Sequence, residues 1–293
     1  MKLGRKIRKI KRDFLYFLKN TININLYNFI ILQLSKKKFL QSKNRRKVIL
    51  KKAHNLDILN NYEYRISSQN NEDGIIEYLE SNIINPDKLF CEIGFDFNEF
   101  NSFNLIKKNW SGTLIDGDKI KCDKLKVCVN KYFKTSKINI YEDFIDFENI
   151  NQKIERSIDK KNFDFFSLDT DGMDYWILEK LKFKPKIICA EFNPWLGASH
   201  SLVIPKKLNF NYQSDMYYGA SLMAYKSLLN KKGYKLVCIE SSGNNAFFIN
   251  QDEFEIYFDE LKIEKSFKYD PKFSAIFYEE VNKKLLKKNW INV

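Results

Sequence analysis

The chain has 293 residues, enough for one large domain or two small ones, and its 44% hydrophobic and 15% aromatic content excludes a disordered chain. Its formal charge of +13 is unevenly placed: residues 1–54 carry 17 Lys and Arg against one acid, Asp13, whereas residues 55–293 carry 33 against 36. The basicity belongs to an N-terminal arm, and the nearly neutral body is disfavoured as a nucleic-acid surface.

In the arm, residues 1–55, Phe14, Leu15, Phe17 and Leu18 lie beside the first basic cluster. A solvated helix resting on the body and an amphipathic anchor on an anionic membrane surface stand level as readings. In the second, each basic residue of 1–54 contributes about 1 kcal/mol. RNA binding, with aromatics interleaving the charges, ranks behind both. The apolar run "INLYNFIILQL" (24–34) is too short for a membrane span and contains Asn25 and Asn28. A further basic run follows it where a signal peptide would have a small-residue cleavage site, which disfavours export. Cys91, Cys122, Cys128, Cys189 and Cys238 are scattered and never form a C-x-x-C pair. They read as reduced thiols and place the protein in the cytoplasm, on the inner membrane face if the arm anchors there.

The body, residues 56–293, alternates strands and helices from about residue 70. "NEDGIIEYLESN" (71–82) predicts a helix, "DKLFCEIGF" (87–95) a strand, "EFNSFNLIKKN" (99–109) a helix and "GTLIDGD" (112–118) a second strand. "KINIY" (137–141) is a third strand, with a helix around 147–157. "NFDFFSLDTD" (162–171) is a fourth, "YWILEKL" (175–181) a helix and "PKIICAEFN" (185–193) a fifth strand. "GASLMAYKSLLNKKG" (219–233) is a helix stopping at Gly233, and residues 234–251 read as two strands around a Ser-Gly-Asn turn. The alternation predicts an α/β fold, a parallel sheet with helices on both faces and an antiparallel pair at one end. Residues 194–218 form a loop long enough to be functional.

Ligands of open parallel sheets bind at the carboxyl ends of the strands. Acids gather there: Glu92, Gly94 and Asp96 after strand one, Asp116 and Asp118 after strand two, "LDTDG" after strand four, Glu191 and Asn193 after strand five. An acid ending strand two suits the two hydroxyls of a ribose, and Gly94 permits close approach to the backbone. Neither a G-x-G-x-x-G nor a P-loop pattern is present, which favours a nucleoside without a pyrophosphate.

These residues resemble the FkbM-like S-adenosylmethionine-dependent methyltransferases over about residues 64–250. The resemblance rests on "SSQNNEDGIIEYL", "FCEIGFDFNEFNSFNLIKKNWSGTLIDGD", "FDFFSLDTDGMDYWIL", "KIICAEFN" and "YYGASLMAYKSLLNKKGYKLVCIESSGNNAFFIN". It implies a Rossmann-like class I methyltransferase sheet, mostly parallel and seven-stranded with the last strand antiparallel. S-adenosylmethionine would sit with Glu92, Gly94 and Asp96 on its methionine side and Asp116 on its ribose. Phe97 stands where relatives typically have Gly, so its side chain must point away from the cofactor.

Asp169 and Asp171 then face the acceptor, as a base or, with Glu191 and Asn193, as oxygen ligands for Mg2+. Against this stands a turn at Asp171–Gly172 with Asp174 capping the next helix. His200, in the long loop, is a further candidate base. Tyr217, Tyr218 and Ser221 would border the acceptor pocket, or belong to the core. The resemblance implies O-methylation of a sugar, glycan or related small-molecule hydroxyl. The rivals are a metal-dependent glycosyltransferase using Asp169-Thr170-Asp171 as D-x-D, and a methyltransferase-like binding protein without activity.

Overall fold

Seven short apolar runs build one sheet: β1 Leu89–Ile93, β2 Ser111–Asp116, β3 Ile138–Glu142, β4 Phe165–Leu168, β5 Ile187–Glu191, β6 Lys235–Ile239 and β7 Asn245–Ile249. The computed structural model describes residues 58–293 apart from 134–135, 158–161 and 270–272, with four isolated positions (26, 30, 48 and 49) before them. The expectations for the arm and its anionic membrane surface lie outside the described residues. Among those residues no helix is long and apolar enough to cross a membrane.

The strand order is β3-β2-β1-β4-β5-β7-β6, with β7 antiparallel to both neighbours and the β1–β2, β2–β3, β1–β4 and β4–β5 pairs parallel. This is the class I methyltransferase sheet expected from the sequence. The chain winds outward from β1 to β3 and returns beside β1 as β4, so the order reverses at the β1–β4 seam, where such sheets open a crevice.

Side chains alternate across the sheet as the pleat requires. Phe90, Leu114, Phe165, Ile187 and Phe247 pack with α1 (Glu72–Glu80), α2 (Phe103–Lys107) and α3 (Lys119–Tyr132). Cys91, Ile115, Phe166, Ile188 and Phe248 pack with α4 (Ile150–Ser157), α5 (Asp174–Lys180) and α6 (Leu222–Lys231) on the other face. Alternation breaks once, in β6, where Val237 and Cys238 both join the first face. The β6–β7 register shifts between Phe247 and Phe248, so a bulge takes up the extra residue.

Two elements depart from the sequence reading. The helix expected over 99–109 covers only Phe103–Lys107, because residues 96–99 make a turn closed by an Asp96–Glu99 bridge. The 14-residue α3 was not expected at all. A further helix, α7 (Ala275–Leu285), packs Tyr278 against Trp195 at 4.3 Å in the loop after β5. All five cysteines are buried and free.

Candidate functional site

A cavity of about 760 Å³ opens at the carboxyl ends of β1, β2 and β4, the size of an ordinary small-molecule site. Its walls carry Glu92, Gly94, Asp96, Asp116, Asp169 and Asp171, so six expected site residues converge there.

β1 enters the turn at Gly94 with φ +75°, and a Cβ built there would lie 1.6 Å from the Asp169 carbonyl oxygen. The glycine is required by the contact between two strand ends, independently of any ligand. Glu92 is buried and accepts from the Asn101 and Ser102 N–H groups at 2.8 Å each, fixing the segment that enters α2. Burial pushes its carboxyl up to about 7, although those N–H groups pull the other way. Phe97 is 6% exposed, packs in the core beside α2 and is absent from the cavity wall, as the cofactor reading requires. Asp96 is exposed at the rim.

Asp116, the last residue of β2, accepts from Asp118 N at 2.6 Å, from Phe95 N at 3.1 Å and from Lys121 Nζ at 3.3 Å. It ties the turns after β1 and β2 together while lining the cavity. Asp118 accepts from Ile120 N and Lys121 N as the N-cap of α3, a structural task.

At the β4 and β5 ends, carboxylate oxygens of Asp169, Asp171 and Glu191 lie within 4.8 Å of one another. Asp169 is half-buried, and burial, then Asp171, then Asp174 push its carboxyl up to about 7. Glu191 is held well above the usual carboxylate range by burial and then by Asp169. Three acids packed this closely suit either a shared proton or an oxygen-liking cation.

Asp171 has φ +55°, the turn that Gly172 suggested, yet its side chain reaches the cavity. Asp174 starts α5 and accepts from Thr170 N, Thr170 Oγ1 and Gly172 N, which closes the Asp-Thr-Asp-Gly turn from behind. Its work is structural.

Two expected residues are not brought to the cavity. Asn193 is fully buried: its Oδ1 accepts from Trp195 N, and its amide donates to Met216 O and Tyr218 O. That side chain is spent on closing a loop and does not line the cavity, whereas Asp169, Asp171 and Glu191 lie grouped. His200 is absent from the lining because its neighbours Leu202–Val203 pair with Ile291–Asn292, drawing this leg of the loop towards the chain's last residues. Tyr217 donates to Asn289 O on that side, Ser221 caps α6, and Tyr218 is buried near Glu191.

No family model matches the chain, and no curated protein does. Solved structures match with probability 1.00. Magnesium protoporphyrin IX methyltransferase from Synechocystis with bound SAM is 11% identical, with 76% of this chain and 96% of that one covered and a TM-score of 0.41. The N-terminal domain of EvdMO1, crystallised in the presence of SAH and D-fucose, is 8% identical over 74% and 94%, TM-score 0.40. An S-adenosylmethionine-dependent methyltransferase from Clostridium acetobutylicum is 11% identical over 60% and 88%, TM-score 0.39. Likenesses this distant carry no conclusion about ligand or reaction.

Sequence reasoning did not name the cavity residues of several further segments, among them Asp143–Asp146 after β3. Gln69 and Asn245 border it from the segment before α1 and the start of β7, and Lys207, Asn209 and Phe210 reach it from the loop after β5. Asn245 donates to Glu72 at 2.7 Å, and its own N–H bonds Glu240. Burial and then Glu72 push the Glu240 carboxyl up to about 7.

Glu92, Asp169 and Glu240 thus titrate near 7 when folded and near about 4 when unfolded. Between those values the folded state binds more protons, so stability falls as pH rises and levels off above about 7. Thermal unfolding without divalent ions is expected to show a higher midpoint at pH 5.5 than at pH 8. A midpoint that rises over this interval contradicts the assignment.

Proposed function

We propose that the protein is an S-adenosylmethionine-dependent methyltransferase acting on a hydroxyl of a sugar, glycan or related small molecule. One observation carries the reading: the reversal point of a β3-β2-β1-4-5-7-6 sheet opens onto a cavity with Asp116 at one side and the Asp169–Asp171 pair at the other. In this reading the first takes the ribose and the second the acceptor hydroxyl. The residues present suit the cofactor, since an acid-lined cavity favours a cationic sulfur and Phe97 does not intrude.

S-adenosylmethionine supplies an activated methyl group; the chain's own residues supply alignment and proton removal. Asp116 fixes the ribose, and Glu92, Gly94 and Asp96 border the methionine side. Asp169, raised towards neutrality, is suited to take the acceptor proton at its carboxylate oxygen near pH 7. Asp169, Asp171 and Glu191 would hold Mg2+, which lowers a bound hydroxyl's pKa. The burial of Phe97 away from the cavity removes the steric ground for the inactive reading.

Calorimetry with S-adenosylhomocysteine tests the proposal. Binding is expected, and a wild-type protein that gives no heat overturns it. Stabilisation by a UDP-sugar with manganese, and not by S-adenosylhomocysteine, would establish the glycosyltransferase rival instead.

A further inference from the structure

The loop after β5 is held at both legs, and between them Lys206 pairs with Glu179 at 2.9 Å and lies over the Trp176 ring. On the first leg, Trp195 O accepts from Asn282 Nδ2, and Leu202–Val203 pair with Ile291–Asn292. On the second, Lys288 pairs with Asp215 at 2.5 Å and the Tyr217 ring meets Trp290 at 4.7 Å. Residues 206–209 and 211 between the legs are exposed, and this same stretch turns Lys207, Asn209 and Phe210 into the cavity wall. The Phe210 ring lies against Gly172, with Cδ1 2.6 Å from where a Cβ would stand, so it covers the turn that carries Asp171.

The wall around this ring is strongly acidic, with nine carboxylates against two lysines. Among the described residues three of the nine are answered by a cation: Glu99 by Arg65, Asp116 by Lys121 and Asp143 by Lys153. Asp96, Asp169 and Asp171 make no ion pair among the described residues. Even a bound divalent ion and a sulfonium would leave the cavity negative. A cleft lined by one sign of charge concentrates ligands of the other sign and rejects its own. An aromatic face inside such a cleft adds a second attraction for an ammonium group.

We propose that residues 205–214 are the acceptor-recognition element, with Phe210 as its platform, and that they select a hydroxylated ring bearing an ammonium group, an amino sugar. The proposal rests on the methyltransferase reading for its assignment of the acceptor end. Phe210 is a specificity residue: it faces the acceptor and leaves the ribose side untouched.

Ligand-observed NMR with glucosamine, glucose and glucuronate tests it, in EDTA, with and without S-adenosylhomocysteine. Glucosamine is expected to bind at least tenfold more tightly than glucose and glucuronate weakest, with the preference shrinking as salt is raised. Phe210→Ala is expected to weaken glucosamine about tenfold and leave S-adenosylhomocysteine affinity unchanged. Glucuronate binding as well as glucosamine, no glucosamine binding to wild type, or an equal loss of cofactor in Phe210→Ala overturns it. Failure of S-adenosylhomocysteine to bind wild type would fall on the methyltransferase reading alone, because the sugar series is also measured without it.

Discussion

Gly94→Ala is expected to lower the thermal midpoint by about 10 °C or more, the largest stability loss of any single-methyl addition in the sheet. The built Cβ lies 1.6 Å from Asp169 O and 2.6 Å from its carbonyl carbon, both backbone atoms. Neither strand end can retreat, since Asp169 N donates to Ile93 O and Gly94 N donates to Ile115 O. A non-glycine residue at φ +75° costs about 1–3 kcal/mol before the clash is counted. Overpacking adds about 1–3 kcal/mol more. At about 2–4 °C per kcal/mol for a domain of this size, the sum reaches the expected shift. Gly233→Ala is the control: its φ is +89°, but nothing lies within 4 Å of its Cβ position. It should cost only the backbone term, about 1–3 kcal/mol. Two variants of equal stability would show that the β1 and β4 ends are not in contact as described.

The same glycine shows what the sequence could convey. "CEIGF" announced a strand and a turn, and the acid-ended runs placed four strand ends on one edge, because buried parallel strands write themselves as short apolar runs. α3 was hidden by its five lysines, and its buried face relies on Cys122 and Cys128 beside Ile120, Leu125 and Val129. Lysine stems can lie along such a face with their charges in water, so composition conceals the periodicity.

Side-chain tasks were less legible than strand ends. Asp169, Asp171 and Glu191 meet because β4 and β5 are neighbours in register, which the order of elements foretold. Asn193 and Glu191 are two residues apart, yet one turns into the loop and the other towards Asp169; nothing local distinguishes them. His200 lies off the cavity lining because its leg of the loop is held by contacts about 90 residues away, between Ser201 and Val293. The approach of Phe210 to Gly172 is likewise a tertiary fact.

Asp116→Asn is expected to weaken S-adenosylhomocysteine binding by at least a hundredfold, and Asp116→Ala to abolish it. A carboxylate has about four acceptor positions, and the structure accounts for three of them through Phe95, Asp118 and Lys121. One position remains on a side chain that lines the cavity and is 10% exposed, and the 3.3 Å contact to Lys121 Nζ can yield a second to a ligand. Hydrogen bonds to a charged group contribute about 1.5–3 kcal/mol each, so losing a paired contact to two ribose hydroxyls corresponds to the stated factor. Because Asp116 also braces the two turns, a loss of binding alone could reflect a disturbed cavity. A cycle with the ligand's own hydroxyl separates the two effects. Wild type should prefer adenosine over 2′-deoxyadenosine about tenfold, whereas Asp116→Asn should bind both alike. If the variant keeps the wild-type preference, Asp116 does not hold the ribose, whatever its effect on overall affinity.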